Sequence, residues 1–320
     1  MAELNKMQIS LTNFNTQIRC AAYHYESNTP CYVTLNSSLI HFNSKVYQSN
    51  DAQFIFYMKF HGDILIVASM DGILLIYKKI NSNLEYIDQK KYINLIWAES
   101  IKFDNKLYIS LLFTSQDQHY DIISFSYKDD QLIPFKNSVL SIKSQIPPVF
   151  TIAVKYQQVC LSYVQINEKQ FPSLCQVQLS IDGTTAQQYQ LKITSRNFIP
   201  EQIQQLENNI FSIISSSTIY FVKIDQKVCE SVQPVDFSNK NKLKPCRGIS
   251  VGGLSFYVDN HNVYVISNDV IKGYLETKLN EVISIQGISS QNVCLEKSIF
   301  AVDFHKGRDG VRGQIFVGGE

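Results

Sequence analysis

The sequence predicts an all-β chain assembled from one repeated unit, and three observations carry that expectation. Apolar residues fall in short β-branched and aromatic runs of period two, tight polar turns separate the runs, and the same strand–turn–strand pattern returns along all 320 residues. Stripes of period 3.6, which would mark amphipathic helices, are nearly missing. The helix-like pattern that does occur is Pro200-Glu-Gln-Ile-Gln-Gln-Leu-Glu207, and it reads equally well as a strand.

The repeated element is a pair of strands in which small or hydroxyl residues close the first strand and a polar or charged residue ends the second. Its clearest copy is Asp63-Ile-Leu-Ile-Val-Ala-Ser69, a turn of Met70-Asp71-Gly72, and then Ile73-Leu-Leu-Ile-Tyr77. The Asp-Gly pair supplies the positive φ that such a turn requires. Three further copies run without interruption over 31–42, 209–225 and 262–275, and three with longer turns start at Lys106, Gln158 and Ser298.

The seven starts (31, 63, 106, 158, 209, 262 and 298) lie about 44 residues apart on average, the interval of a four-stranded propeller blade. Between the pairs there is room for two more strands, with candidates at Phe54-Ile-Phe-Tyr-Met-Lys-Phe60 and Leu84-Glu-Tyr-Ile-Asp88. One small twisted sheet that is apolar on both faces cannot bury itself alone. Stacking the units radially covers every face and leaves only short edges.

The sequence therefore predicts a single β-propeller over residues 1–320, with seven four-stranded blades. The seventh pair ends at the C-terminus, and the segment Lys6-Met-Gln-Ile-Ser-Leu-Thr-Asn-Phe14 is the expected strand that completes its blade. A pair of β-sandwiches is the competing architecture.

In period and strand pattern the chain resembles the WD-repeat propeller superfamily over essentially its whole length. The Gly-His and Trp-Asp dipeptides of that family are missing, and the single tryptophan, Trp97, is followed by Ala98. That departure implies a divergent propeller or another propeller family, with six or eight blades as the alternatives to seven.

Composition narrows the function classes. Hydrophobic residues make up 45% and charged ones 18%, which places the chain among folded and not disordered sequences. Lys plus Arg (29) nearly balances Asp plus Glu (28), so no global field recruits nucleic acid or an anionic membrane. Seven widely spread cysteines without a C-x-x-C pair argue against a disulfide framework and a zinc ribbon. The N-terminus lacks a secretory profile and no apolar run approaches 18 residues, so the expected location is cytoplasmic or nuclear, with no membrane insertion.

No catalytic constellation assembles. There is no G-x-S-x-G elbow, P-loop, H-E-x-x-H or strand-following G-x-G-x-x-G. The six histidines are solitary, Cys160 and Cys175 sit inside strand patterns, and Asp129-Asp130 reads as a solvated turn tip. His61-Gly62-Asp63 and the segment 259–262 read as turns between the first and second strands of their blades. No catalytic, cofactor or metal-ligating residue is assigned.

Two local basic clusters stand out late in the chain. Lys240, Lys242, Lys244 and Arg247 precede the sixth blade, and Lys306, Arg308 and Arg312 fall in the expected turn 305–313 of the seventh. In a propeller the connection into a blade's first strand and the turn between its second and third strands open on one rim. These residues are thus the candidate binding rim, and the longer turns at 115–119 and 167–173 open on the same side. The expected function is a non-catalytic scaffold that binds protein partners within a multi-subunit assembly. A nucleic-acid- or phosphate-contacting subunit using the basic rim is the alternative, followed by a propeller enzyme with a central-channel site.

Overall fold

A computed structural model describes residues 8–35, 37–48, 52–169, 171–179, 186–193, 198–207, 209–215, 218–225, 228–236, 247–251, 254–258, 262–267, 270–276, 298–307 and 310–318. Among them every regular element is a strand. After β1 (Gln8–Asn13), the strands follow one another as antiparallel meanders of four.

The first meander is β2 (Ile18–His24), β3 (Thr29–Thr34), β4 (Leu39–Phe42) and β5 (Lys45–Gln48). The second is β6 (Ile55–His61), β7 (Ile64–Ser69), β8 (Ile73–Ile80) and β9 (Asn83–Lys91). The third is β10 (Leu95–Phe103), β11 (Lys106–Gln116), β12 (His119–Lys128) and β13 (Gln131–Lys143).

Next come β14 (Val149–Lys155), β15 (Gln158–Ile166), β16 (Pro172–Gln178) and β17 (Ala186–Lys192), then β18 (Pro200–Glu207), β19 (Ile210–Ser215), β20 (Thr218–Asp225) and β21 (Val228–Asp236). Parallel pairing of β17 with β21, from Gln190↔Val228 to Lys192↔Glu230, joins these two meanders into one eight-stranded sheet. A four-stranded sheet of β22 (Arg247–Val251), β23 (Leu254–Val258), β24 (Asn262–Ser267) and β25 (Val270–Glu276) follows. The last two strands, β26 (Ser298–Gly307) and β27 (Gly310–Gly318), take β1 as their third partner.

The expected strand pairs at 31, 63, 106, 158 and 209 are the second and third strands of their sheets. The pair at Asn262 is instead the third and fourth, because the short hairpin β22–β23 precedes it. The connection 259–261 accordingly joins a second strand to a third, and those three residues lie outside the described residues. Pro200–Glu207 is a strand, bulged at both ends against β19. The expected N-terminal strand does pair with the last one, in parallel register from Gln8↔Arg312 to Asn13↔Val317.

Turn chemistry accounts for much of this regularity. Four hairpins turn on two residues that both have positive φ: Asn43-Ser44, Asp104-Asn105, Asp129-Asp130 and Tyr156-Gln157. That is the type I′ geometry, whose twist matches the strands it joins. Asp129 and Asp130 are thus turn residues, and Asp130 accepts a 2.9 Å hydrogen bond from the Tyr127 hydroxyl. The β7–β8 turn requires its glycine. Gly72 has φ +87°, and a Cβ there would lie 1.6 Å from the Tyr92 carbonyl oxygen.

The chain divides into two compact units, Met1–Ser69 with Leu75–Ile87 and Leu243–Glu320, and Met70–Leu74 with Asp88–Lys242. In the first, Ile18, Ala21 and Phe316 form a core with Phe14, Tyr23 and Tyr32 packed against it. In the second, consecutive sheets stack face to face. Leu112, Ile122 and Ile142 meet Phe150, Ile152 and Leu161. On its other side the β14–β17 meander meets the next one, where Val164, Leu174 and Leu191 pack on Ile203, Phe211 and Val222. These meanders are apolar on both faces, as the repeat predicts, and burying each such side chain contributes about 1.5–3 kcal/mol.

Candidate functional site: an apolar rim cavity

One polar device recurs where the chain enters the first strand of a sheet. A residue one to four positions before that strand hydrogen bonds to the end of a second strand. Leu35 donates its N–H to Gln17 O (3.0 Å), and Thr114 N–H to Asn94 O (3.1 Å). Gln145 N–H donates to Ile166 O (2.9 Å), and Ile199 N–H to Ser215 Oγ (3.0 Å). The entering connection and the end of the second strand are neighbours at each of these places.

Ser144 makes the tightest of these joints. Its side chain is buried, its hydroxyl accepts from Ile166 N–H (3.0 Å), and its own N–H donates to Gln118 O (3.0 Å). The connection that follows, Ile146-Pro147-Pro148, is thereby held in place. The two prolines fix φ and carry no N–H.

Within the second unit these joints bring together the starts of β10, β14 and β18 around a cavity of about 360 Å³. Its lining comes from three segments: Ile96 and Trp97 with Leu112, then 146–150, then 199–202. A bulge between Leu95 and Trp97, a device that re-aims side chains, places Trp97 here, and its indole N–H donates to Glu99 Oε1 at 3.1 Å. Ile199 remains 54% exposed at the lip. Met70 and Ile93 are 61% and 82% exposed on the connected turns joined by Tyr92 N–H→Gly72 O, and Phe171 is 54% exposed in the β15–β16 turn.

Of the candidate basic rim, Lys240, Lys242, Lys244 and Arg308 lie outside the described residues. Arg247 opens β22 and Lys306 lies in β26; the placement of their side chains is likewise outside what is described. Arg312 is exposed on β27, where it pairs with His305 across the hairpin and with Gln8 of β1. The expected turn 305–313 is shorter than predicted: the antiparallel ladder continues to Gly307↔Gly310, so His305, Lys306 and Arg312 are strand residues. The turn expected at 115–119 also tightens, because Gln116 pairs with His119.

The described cysteines Cys20, Cys31, Cys160 and Cys175 are buried and form no disulfide. Burial pushes the Cys175 thiol up to about 11 and the Cys31 and Cys160 thiols above their ordinary value, which disfavours the nucleophilic thiolate. Sequence spacing gave no hint of one polar cluster. His24, at the end of β2, meets Asp63, 39 residues later in the β6–β7 turn, with Nε2 3.2 Å from Oδ1. Among the described residues no helix is long and apolar enough to cross a membrane.

No protein-family model and no curated protein matches the chain. Solved structures do. Saccharomyces cerevisiae Sqt1 is similar over 96% of this chain and 98% of its own, with 12% identity and a TM-score of 0.51. Kluyvelomyces marxianus Hsv2 is similar over 94% and 97%, with 9% identity and a TM-score of 0.50. A chain in the S. cerevisiae complex of Dbp5 bound to Nup159 and Gle1 is similar over 94% and 85%, with 10% identity and a TM-score of 0.50. At these identities the likeness shows the fold: a β-propeller.

Proposed function

We propose that this chain is a non-catalytic interaction scaffold, cytoplasmic or nuclear, that anchors a protein partner at the cavity between the starts of β10, β14 and β18. The observation that carries this reading is the character of the lining. Its walls are aliphatic, aromatic and proline, with Glu201 as the charged member, and no histidine, cysteine or hydroxyl nucleophile is among them. Such a surface suits an apolar side chain of a partner.

The exposed Met70, Ile93 and Phe171 extend the contact beyond the cavity. A WD-repeat propeller fold supports the same reading by analogy, as does the likeness to a chain found within a multi-protein assembly. The ring we propose is a single domain of seven blades completed by the N-terminal strand.

A photo-crosslinking residue in place of Ile199, in the full chain and activated in cells, tests the reading. The expected product is a discrete adduct with one protein. Adducts with nucleic acid, or none above a control placed at Val46, would overturn it.

A further inference from the structure

His24 is 1% exposed and its ring is held edge-on by Phe60, with centroids 5.1 Å apart. Its Nε2 lies 3.2 Å from Asp63 Oδ1, and Asp63 follows Gly62, whose φ of +62° sets the turn. Glu26, exposed in the β2–β3 turn, completes a trio whose ligand atoms all lie within 4.8 Å of one another. All three residues belong to the first unit.

The N···O separation is informative. Two donors each about 2.1 Å from one metal ion stand roughly 2.9–3.4 Å apart, from octahedral to tetrahedral angles. His24 and Asp63 are at that distance already, and the exposed Glu26 needs only a side-chain rotation to join them. Asp63 is half exposed, which leaves water access to the remaining positions. One imidazole with two carboxylates suits zinc and its first-row neighbours.

The second ring nitrogen has a fitting acceptor. Nδ1 lies 2.8 Å from Ser27 Oγ, whose hydroxyl donates to Thr29 Oγ1 (3.0 Å), and Thr29 in turn donates to Ser27 O (3.0 Å). This chain leaves a Ser27 lone pair facing Nδ1, the outer contact that fixes a metal-bound imidazole. Two groups hold the site when no metal is bound. Ser27 N–H reaches Nδ1 at 3.1 Å, which favours an Nε2–H that donates to Asp63, and Lys79 Nζ stands 3.7 Å from the same Asp63 oxygen.

We propose that His24, Asp63 and Glu26 form a site for a divalent transition-metal ion of the zinc class, with Lys79 as the resident cation that the metal displaces. On binding, the imidazole changes tautomer with no net proton release: Nε2 gives its proton to solvent, Nδ1 takes one up, the new Nδ1–H donates to Ser27 Oγ, Ser27 N–H gives up Nδ1 as its acceptor, and the Lys79 ammonium swings away. The site is separate from the rim cavity and does not depend on the scaffold reading.

Calorimetric titration of the chelator-stripped full chain with Zn²⁺ tests this, with circular dichroism and melting as the check on folding. One equivalent should bind to wild type. Glu26→Gln should weaken that component by about tenfold or more, and Lys79→Gln should strengthen it by about threefold or more, because it removes a competing charge. The opposite signs distinguish a metal site from a hydrogen-bonded joint, which both variants would leave equally blind to zinc. No stoichiometric uptake, uptake indifferent to Glu26→Gln, or weaker uptake in Lys79→Gln overturns the proposal.

Discussion

Gln314 donates from Nε2 to Thr12 Oγ1 at 2.6 Å and accepts from Ser10 Oγ at 2.5 Å, so a side chain that is 1% exposed on β27 grips two residues of β1. The parallel ladder between these strands supplies affinity, and the buried amide supplies register, since a one-residue slip would leave both hydroxyls without it. Gln314→Ala should therefore destabilise the protein by roughly 1–3 kcal/mol. Urea denaturation followed by fluorescence measures this, and proteolysis should cut more readily within the first 17 residues of the variant than of wild type. Unchanged cleavage there would separate Gln314 from the docking of β1.

Gly72 carries the turn whose carbonyl accepts Tyr92 N–H at 2.7 Å. Gly72→Ala meets a positive φ and places its Cβ 1.6 Å from the Tyr92 backbone oxygen. The cost should reach roughly 2–4 kcal/mol, a large fraction of a domain's stability. A thermal melt within a degree of wild type would contradict the turn geometry.

The β14–β15 hairpin turns on Tyr156 and Gln157, with φ of 47° and 63°, at positions that type I′ turns reserve for Asn and Gly. Tyr156 is 65% exposed, so little packing is lost on replacing it. The double variant Tyr156→Asn, Gln157→Gly should gain about 1 kcal/mol by equilibrium unfolding. A loss of stability would mean that the exposed ring has packing value after all.

His41 stacks on Tyr32 with centroids 4.8 Å apart and rings 7° from parallel, and burial lowers its pKa. The unfolded chain then binds more protons than the folded one. The contribution is complete above the unfolded value of about 6.5 and is lost as pH falls below it towards the folded value. His24 is shifted in the same direction, by burial first and Lys79 second. Urea midpoints at pH 7.5 and 5.5 should differ less in His41→Phe than in wild type, with a residual difference left by His24. An identical difference would remove His41 from the acid response.

Much of the fold was legible because its signals are local. Alternation, β-branched runs and Asp-Gly or Asn-rich turns act over two to eight residues, and they locate hairpins such as β7–β8 without reference to the rest of the chain. What escaped depends on distant partners. Pro200–Glu207 carries a helix-like composition, and only β19 beside it decides for strand. The hairpin at Asn262 took the wrong place in its sheet because β22 and β23 are five residues each, too short to announce themselves. The cavity was invisible for a similar reason: Trp97, Pro148 and Ile199 are far apart in sequence and meet only through packing. Charge drew the sequence reading to Lys240–Arg312, where most of the side chains lie outside the described residues, whereas the cavity of the second unit has a mainly apolar lining that carries no charge signal in the sequence. The His24–Asp63 contact spans 39 residues and two turns, and nothing in either segment points to the other.

The scaffold reading meets its most direct test in a matched pair of surface variants. Ile199 at the cavity lip and Val46 on β5 are each 54% exposed, so Asp at either position should leave the fold intact. Tagged full-length chains of wild type, Ile199→Asp and Val46→Asp, purified from their native cells at native expression, are to be compared by quantitative mass spectrometry and gel filtration. The account predicts that wild type and Val46→Asp elute in the same larger assembly, and that Ile199→Asp loses at least one protein partner by about tenfold or more. Equal partner recovery in all three, or elution of wild type alone as a monomer, would contradict it.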